Sequence, residues 1–209
     1  MRLPFLSSFF IFIIWLAYEI RKHRDIETRP FREYMARERE ADNTPAKPMD
    51  DLVFVTIPLE SLPTDVMAED AEIKDVLEVL SGLKEQKIVN LTGFSNTDLK
   101  LKYGAPNISR LIYYDQNYIV LARTLQKWGK RLMENGHPAE GAAVLEYAVE
   151  TGTDVFGSYE LLAQYYLERK ETEKLCDLRD AAAKINSIRK DQILAMLDKY
   201  TEEGLKVNA

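Results

Sequence analysis

LQKWGKRLMENGHPAEGAAVLEYAVETG, residues 125–152, is the stretch on which the fold turns. Shifted by 34 positions it lies over YELLAQYYLERKETEKLCDLRDAAAKIN, residues 159–186, with apolar and small positions largely in step. Self-similarity at such a period marks a recurring supersecondary unit whose copies bury their apolar faces against one another. Within each copy apolar residues recur at three- and four-residue spacing, so both halves predict amphipathic helices. The breaks between them carry turn chemistry: Asn135-Gly136 with Pro138 in the first turn that follows, TGTD at 151–154, and KET at 170–172.

Outward from this core the helical pattern continues. One helix is expected from about Ile108 or Asp115 to Glu134, then others over Pro138–Glu150, from Ser158 onward, over 173–186 and over 190–200. Upstream, DAEIKDVLEVLSGL (70–83) places Ile73, Val76, Leu77 and Leu80 on one helical face. Ser95 or Asn96 caps a short turn of helix that Gly104 and Pro106 end. LVFVTIPLESLP (52–63) is β-branched and reads as extended. Pro58 denies it one backbone donor and no second convincing strand is present to pair with it, so it is expected to pack on the helical body. The expected fold class is all-α, with a short extended segment near 52–58.

The N-terminus belongs to a different regime. LPFLSSFFIFIIWLAYEI (3–20) is apolar apart from two serines and a final glutamate. At about 1.5 Å per residue it spans roughly 27 Å, enough for a bilayer core. Trp15 and Tyr18 lie near its C-terminal end, at headgroup level. Arg21, Lys22 and Arg24 follow at once, and no A-x-A-like cleavage site is present, so the reading is an uncleaved transmembrane anchor over 1–20. Residues 21–40 hold seven Lys and Arg against one before the span, which by the positive-inside rule puts the N-terminus outside and the rest in the cytoplasm. The expected localisation is therefore the cell membrane, single-pass, with lipid contact through residues 3–24. Residues 21–50 form a charged juxtamembrane stalk and linker, with a short helix from Pro30 to Glu40 and a proline-bearing linker at 41–50. Residues 51–107 carry the extended segment and an N-terminal capping helix, and 108–209 the helical repeats.

Charge and composition exclude several function classes. Residues 1–50 carry nine basic and eight acidic groups, and 51–209 carry 19 and 26. An acidic globular part argues against nucleic acid, whose binding rests on Lys and Arg neutralising phosphates. Cys176 is the single cysteine and reads as a small core residue of a helix. His23 and His137 lie far apart, so no metal-ligand spacing exists. No nucleophile elbow, phosphate-binding glycine loop or zinc-protease motif occurs. No catalytic residue, cofactor or small-molecule substrate is evident, and the chain reads as a non-enzyme.

The 34-residue unit resembles the tetratricopeptide repeat. That family's first helix takes a large apolar residue, then Leu-Gly or Leu-Ala, then an aromatic or large residue. Here the first copy gives Leu125, Trp128-Gly129 and Leu132, and the second Tyr159, Leu162-Ala163 and Tyr166. The turn glycine is Gly136 in copy one and Lys170 in copy two. The small positions of the second helix are Gly141 and Ala148 with Leu145 between them, and Leu175 and Ala182 with Arg179 between them. Thr153 stands where the family usually has proline, and a third first-helix (190–200) with Ile193, Met196, Leu197 and Tyr200 has no partner after it. Helix 70–83 and the early part of 108–124 are expected to cap one end and 190–200 the other.

The resemblance also implies a binding groove. Its positions fall on Arg123, Gln126, Lys130, Met133 and Glu134 in copy one, and on Glu160, Gln164, Leu167 and Glu168 in copy two. Asp191 and Asp198 join them from the last helix. Basic at one end and acidic at the other, such a groove suits an extended, mixed-charge or basic peptide of a protein partner. The expectation is a membrane-anchored adaptor or scaffold. The alternative is a structural subunit docking through its other faces.

Overall fold

The computed structural model describes the backbone of residues 4–207 and the side chains of 8–22 and 30–206. The chain is all-α: α1 Pro4–Asn43, α2 Ala71–Lys84, α3 Asn96–Tyr103, α4 Ile108–Glu134, α5 Pro138–Glu150, α6 Phe156–Glu168, α7 Thr172–Lys184 and α8 Lys190–Val207. Among the described residues β-pairing is confined to one antiparallel bridge, Phe54 with Val89. The helices divide into two compact units, one of residues up to 48 with 95–108, the other of 49–94 with the chain from 109 onward.

In the first unit α1 is a single helix that continues through Pro30, where a short separate helix was expected to begin. Its last turns are fastened to α3. Arg37 pairs with Asp98 at 2.6 Å, Lys100 with Asp42 at 2.6 Å, and the Thr97 hydroxyl donates to Glu38. Ser95 caps α3 in a reciprocal capping box with Asp98. The stretch 41–50, expected as a linker, is also tied: the Lys47 N–H donates to the Tyr103 carbonyl and the Ala105 N–H to that of Thr44. Gly104, at φ +91, closes this arrangement, and a Cβ there would lie 2.2 Å from the Pro45 carbonyl oxygen.

The earlier turns of α1 leave large apolar side chains uncovered, among them Phe9, Ile11, Ile14 and Ile20, the last still 57% exposed. The apolar span read over 3–20 falls partly outside the described residues, at position 3 and the side chains of 4–7. Among the described residues no helix is long and apolar enough to cross a membrane.

The second unit carries the 34-residue period in its backbone. α4 ends at Glu134 and α6 at Glu168; α5 spans Pro138–Glu150 and α7 Thr172–Lys184; α6 begins at Phe156 and α8 at Lys190. Each boundary recurs after 34 residues. The turns repeat as well. Gly136 (φ +86) and Lys170 (φ +62) both adopt the left-handed conformation, and the next N–H, of His137 or Glu171, donates to the carbonyl of Leu132 or Tyr166. This is the helix-ending motif that glycine normally serves.

Packing follows the same register. Leu125, Trp128, Leu132 and Ala148 are buried in copy one, and Tyr159, Leu162, Ala163, Tyr166 and Ala182 in copy two. Gly129 and Gly141 let α4 and α5 cross closely, since a Cβ on Gly141 would sit 2.6 Å from the Gly129 carbonyl oxygen. At the position equivalent to Leu145, Arg179 turns outward from copy two and pairs with Asp198 on α8.

Two cores result. The first joins α2 through Ile73, Val76 and Leu80 to α4 and α5. The second joins α5 through α8 around Tyr159, Leu162, Leu178 and Ile193. Segment 52–63 packs on the first core: Ile57 is buried, the Val55 N–H donates to the Ile88 carbonyl, and the Tyr147 hydroxyl donates to that of Thr56. Its pairing partner, around Ile88 and Val89, is too short to carry a strand pattern in the sequence.

Two expectations are corrected. Cys176 is exposed, because α7 turns Leu175, Leu178 and Ala182 inward and leaves position 176 on the outside. Ser158 does not open α6; the helix starts at Phe156, and Ser158 is buried within it.

Candidate functional site

The α4/α6 face holds most of the residues expected to line a groove, and the structure sorts them into two ends. At one end a stripe of α4 (Asp115, Tyr118, Ile119, Ala122 and Arg123) faces the start of α6, the loop around Phe94 and the α7–α8 turn. Together they enclose a cavity of about 440 Å³. The spacing of that stripe is helical, so one face of α4 presents all five residues.

Two carboxyl groups stand on this cavity. Asp115 accepts the Leu91 N–H at 3.1 Å, and Asp154 accepts the Ser187 hydroxyl at 2.6 Å. Burial pushes the Asp115 carboxyl above its ordinary value; the Leu91 N–H offsets this in part, and the charge of Asp154 adds to it. Behind them the Tyr118 and Tyr159 hydroxyls donate to the Thr151 and Thr153 carbonyls, which fixes the α5–α6 turn. Burial pushes the Tyr118 phenol up to about 12. Arg123 and Arg189 also line the cavity, and neither guanidinium forms an ion pair among the described residues. Ile188, fully exposed, stands beside them.

At the other end Met133 and Glu134 of α4 meet Leu161, Gln164, Tyr165 and Glu168 of α6 around a hollow of about 270 Å³. Lys130 pairs with Glu134 at 3.6 Å, and the Gln164 amide donates to Glu168 at 3.1 Å, each within its own helix. Between the two ends the Gln126 amide rests against Gly157, whose added Cβ would lie 3.0 Å from its Nε2. Glu160 is exposed on α6, close enough to α8 for its charge to help raise the Tyr200 phenol, chiefly raised by burial.

Not all the expected residues converge. Asp198 is turned toward α7 by its pairing with Arg179, which removes it from the α4/α6 face. Leu167 packs into the second core. Asp191 is exposed in the first turn of α8 and lines neither hollow. Asp115, Asp154 and Arg189 went unread in the sequence; for Asp115 the signal was its place in the Tyr118–Ile119–Ala122–Arg123 stripe. Among the described residues no three His, Cys, Asp or Glu side chains are grouped to hold a metal ion.

Chemically, one end of this face offers the unpaired guanidinium groups of Arg123 and Arg189 beside the Asp115 and Asp154 carboxyls; the other end offers Glu134 and Glu168, with the Gln126 amide between and that of Gln164 on Glu168. Amides can bond the main chain of an extended peptide and the end charges can fix its direction. No family model, curated protein or solved structure matches this chain.

Proposed function

We propose that the chain is a single-pass, membrane-anchored adaptor whose tetratricopeptide-like helical body binds an extended segment of a partner protein across the α4/α6 face. The observation that carries this reading is the pair of unpaired guanidinium groups on that face. Arg123 and Arg189 stand without ion-pair partners at one end, beside the Asp115 and Asp154 carboxyls, and Glu134, paired with Lys130, and Glu168 stand at the other. A mixed-charge peptide laid along it meets unpaired guanidinium groups at one end and the Glu168 carboxylate at the other, with Gln126 between for its backbone. The reading includes no catalysis.

The anchor rests on the apolar, uncovered turns of α1 between Phe9 and Ile20 and on the basic residues that follow them. Uncovered apolar surface of that extent is stabilised by lipid, and the basic flank sets the N-terminus outside and the helical body in the cytoplasm.

The test is co-purification of the full chain from its native membranes in mild detergent, in parallel with a variant carrying Arg123→Ala, Lys130→Glu and Gln164→Ala. All three side chains are on the surface, so the variant should fold. A partner held by the wild type and lost from the folded variant supports a groove-reading adaptor. A partner held by both overturns it in favour of a structural subunit docked through another face.

A further inference from the structure

A second trough lies between α5 and α7, sharing with the α4/α6 face only Thr92 and Phe94 at its far end. Its floor is apolar: Val149 of α5, Leu162 of α6, and Leu178 and Ala181 of α7 surround a hollow of about 310 Å³. Through Val149, Glu150 and Ala181 it runs on into a neighbouring hollow of about 450 Å³, which ends at Asn90, Phe94 and Asn186. Along α7 the lining runs from Lys174 to Lys184, so the trough is on the order of 15 Å long.

The rim is acidic. Glu146 and Glu150 of α5 and Asp177 of α7 line it, and α5 carries no Lys or Arg. Lys174, the cation nearest the trough's centre, is occupied: its ammonium lies 3.3 Å from Glu146 and 3.5 Å from Glu171. Glu150 and Asp177 face each other's helices across the apolar floor, and neither has an ion-pair partner among the described residues. The lining thus combines an apolar seat with the unpaired carboxylates Glu150 and Asp177, one on each wall, while Lys184 of α7 lines the far hollow beside Asn186.

The conformation of the occupant follows from the walls. Both are helices whose backbone groups are bonded internally, and no side-chain amide lies along them, so an extended segment would find nothing to satisfy its main chain. A helix brings its own hydrogen bonds and needs only a seat for its apolar stripe.

We propose that the α5/α7 trough is a docking surface for a cationic amphipathic helix of a partner protein, of about 10 residues, with Lys or Arg bordering an apolar stripe. The apolar stripe lies on Val149, Leu178 and Ala181, and the bordering cations meet Glu150 and Asp177. This surface is independent of the peptide-binding face proposed above.

The experiment uses the full chain in nanodiscs of zwitterionic phosphatidylcholine, with empty nanodiscs as blank. The probe is a fluorescein-labelled 14-residue helical peptide with leucines at i, i+3, i+4 and i+7 bordered by lysines, and its binding is read by fluorescence anisotropy. Two variants separate the components: Glu150→Lys with Asp177→Lys reverses the rim, and Ala181→Trp fills the seat without changing charge. All three positions are on helix surfaces, and circular dichroism verifies folding. The expected result is at least tenfold weaker binding in each variant, no change in the Arg123→Ala, Lys130→Glu, Gln164→Ala variant, and no binding of the peptide with glutamates for lysines. Binding unaffected by Ala181→Trp, binding lost in the groove variant, or a trough occupied instead by concentration-dependent self-association of the chain would overturn the proposal.

Discussion

Gly141→Ala and Gly82→Ala make the same chemical change in two helices, and the structure assigns them opposite signs. In a helix interior alanine is favoured over glycine by about 0.5–1 kcal/mol. At Gly82 in α2 nothing lies within 4 Å of the added Cβ, so that gain is realised in full. At Gly141 the Cβ would come 2.6 Å from the Gly129 carbonyl oxygen, 2.6 Å from the Met133 Cγ and 3.2 Å from the Met133 nitrogen. The Met133 side chain can swing aside. The Gly129 oxygen cannot, because it belongs to the α4 backbone at the crossing point. Separating two packed helices to relieve such a contact costs about 1–3 kcal/mol, which outweighs the helix preference and leaves a net loss of about 1–2 kcal/mol. For a chain of this size about 1 kcal/mol moves Tm by roughly 2–4 °C. Thermal unfolding in detergent, followed by circular dichroism and repeated in urea, should show Gly141→Ala about 2–8 °C below the wild type and Gly82→Ala about 1–4 °C above it. A neutral or stabilising Gly141→Ala would mean that α4 and α5 do not cross where the Gly129–Gly141 contact puts them.

Lys170 occupies the left-handed position that Gly136 holds one period earlier, at a cost of roughly 1 kcal/mol for a side chain. Lys170→Gly should therefore raise the unfolding free energy by about 0.5 kcal/mol after the added flexibility of the unfolded chain is offset, and Gly136→Ala should lower it by about 1 kcal/mol, both read from urea unfolding. Asp70 caps α2 by accepting the Glu72 and Ile73 N–H groups and pairs with Arg131 at 2.7 Å; the Arg131 hydrogen bond, foremost, holds its carboxyl below the usual range. That contribution is present above the unfolded carboxylate pKa of about 4 and is lost as pH falls through the lower folded value. The stability gap between wild type and Asp70→Asn, read from urea midpoints, should accordingly close on acidification and stay open at neutral pH. Burial pushes the Tyr118 and Tyr147 phenols up to about 12, so their contribution is complete below about pH 10 and is lost as pH rises toward 12. Spectrophotometric titration of the phenols should find Tyr118→Phe and Tyr147→Phe each removing a late-titrating group, not an ordinary one.

What the sequence disclosed, and what it withheld, follows the range of the forces involved. The period of 34 was legible because the turns and close crossings that set it are local: Gly136, Pro138, Gly129 and Gly141 state their roles within a few residues. Lys170 broke the glycine signal, yet the backbone kept the left-handed turn because the flanking helices are packed. The bridge between Phe54 and Val89 was hidden because its second partner is a stretch of three residues with no pattern of its own. Cys176 was misread from its apolar neighbours, since one residue's rotation on a 13-residue helix decides between core and solvent. The groove positions Arg123, Gln126, Lys130, Gln164 and Glu168 came from the family resemblance, and their role remains the proposal made above. Asp198 was drawn away by Arg179, a pairing across α7 and α8 that register alone does not encode. Asp154 and Arg189 lie in turns, where no periodicity points to a face.

The most direct test of the central claim is photo-cross-linking in intact membranes, with benzoylphenylalanine placed at Gln164 on α6 and, separately, at Asp180 on α7. Proposed recognition across the α4/α6 face predicts an adduct between position 164 and one partner protein, with its yield cut when Arg123→Ala is added. Adducts from position 180 alone, with none from 164, would contradict it.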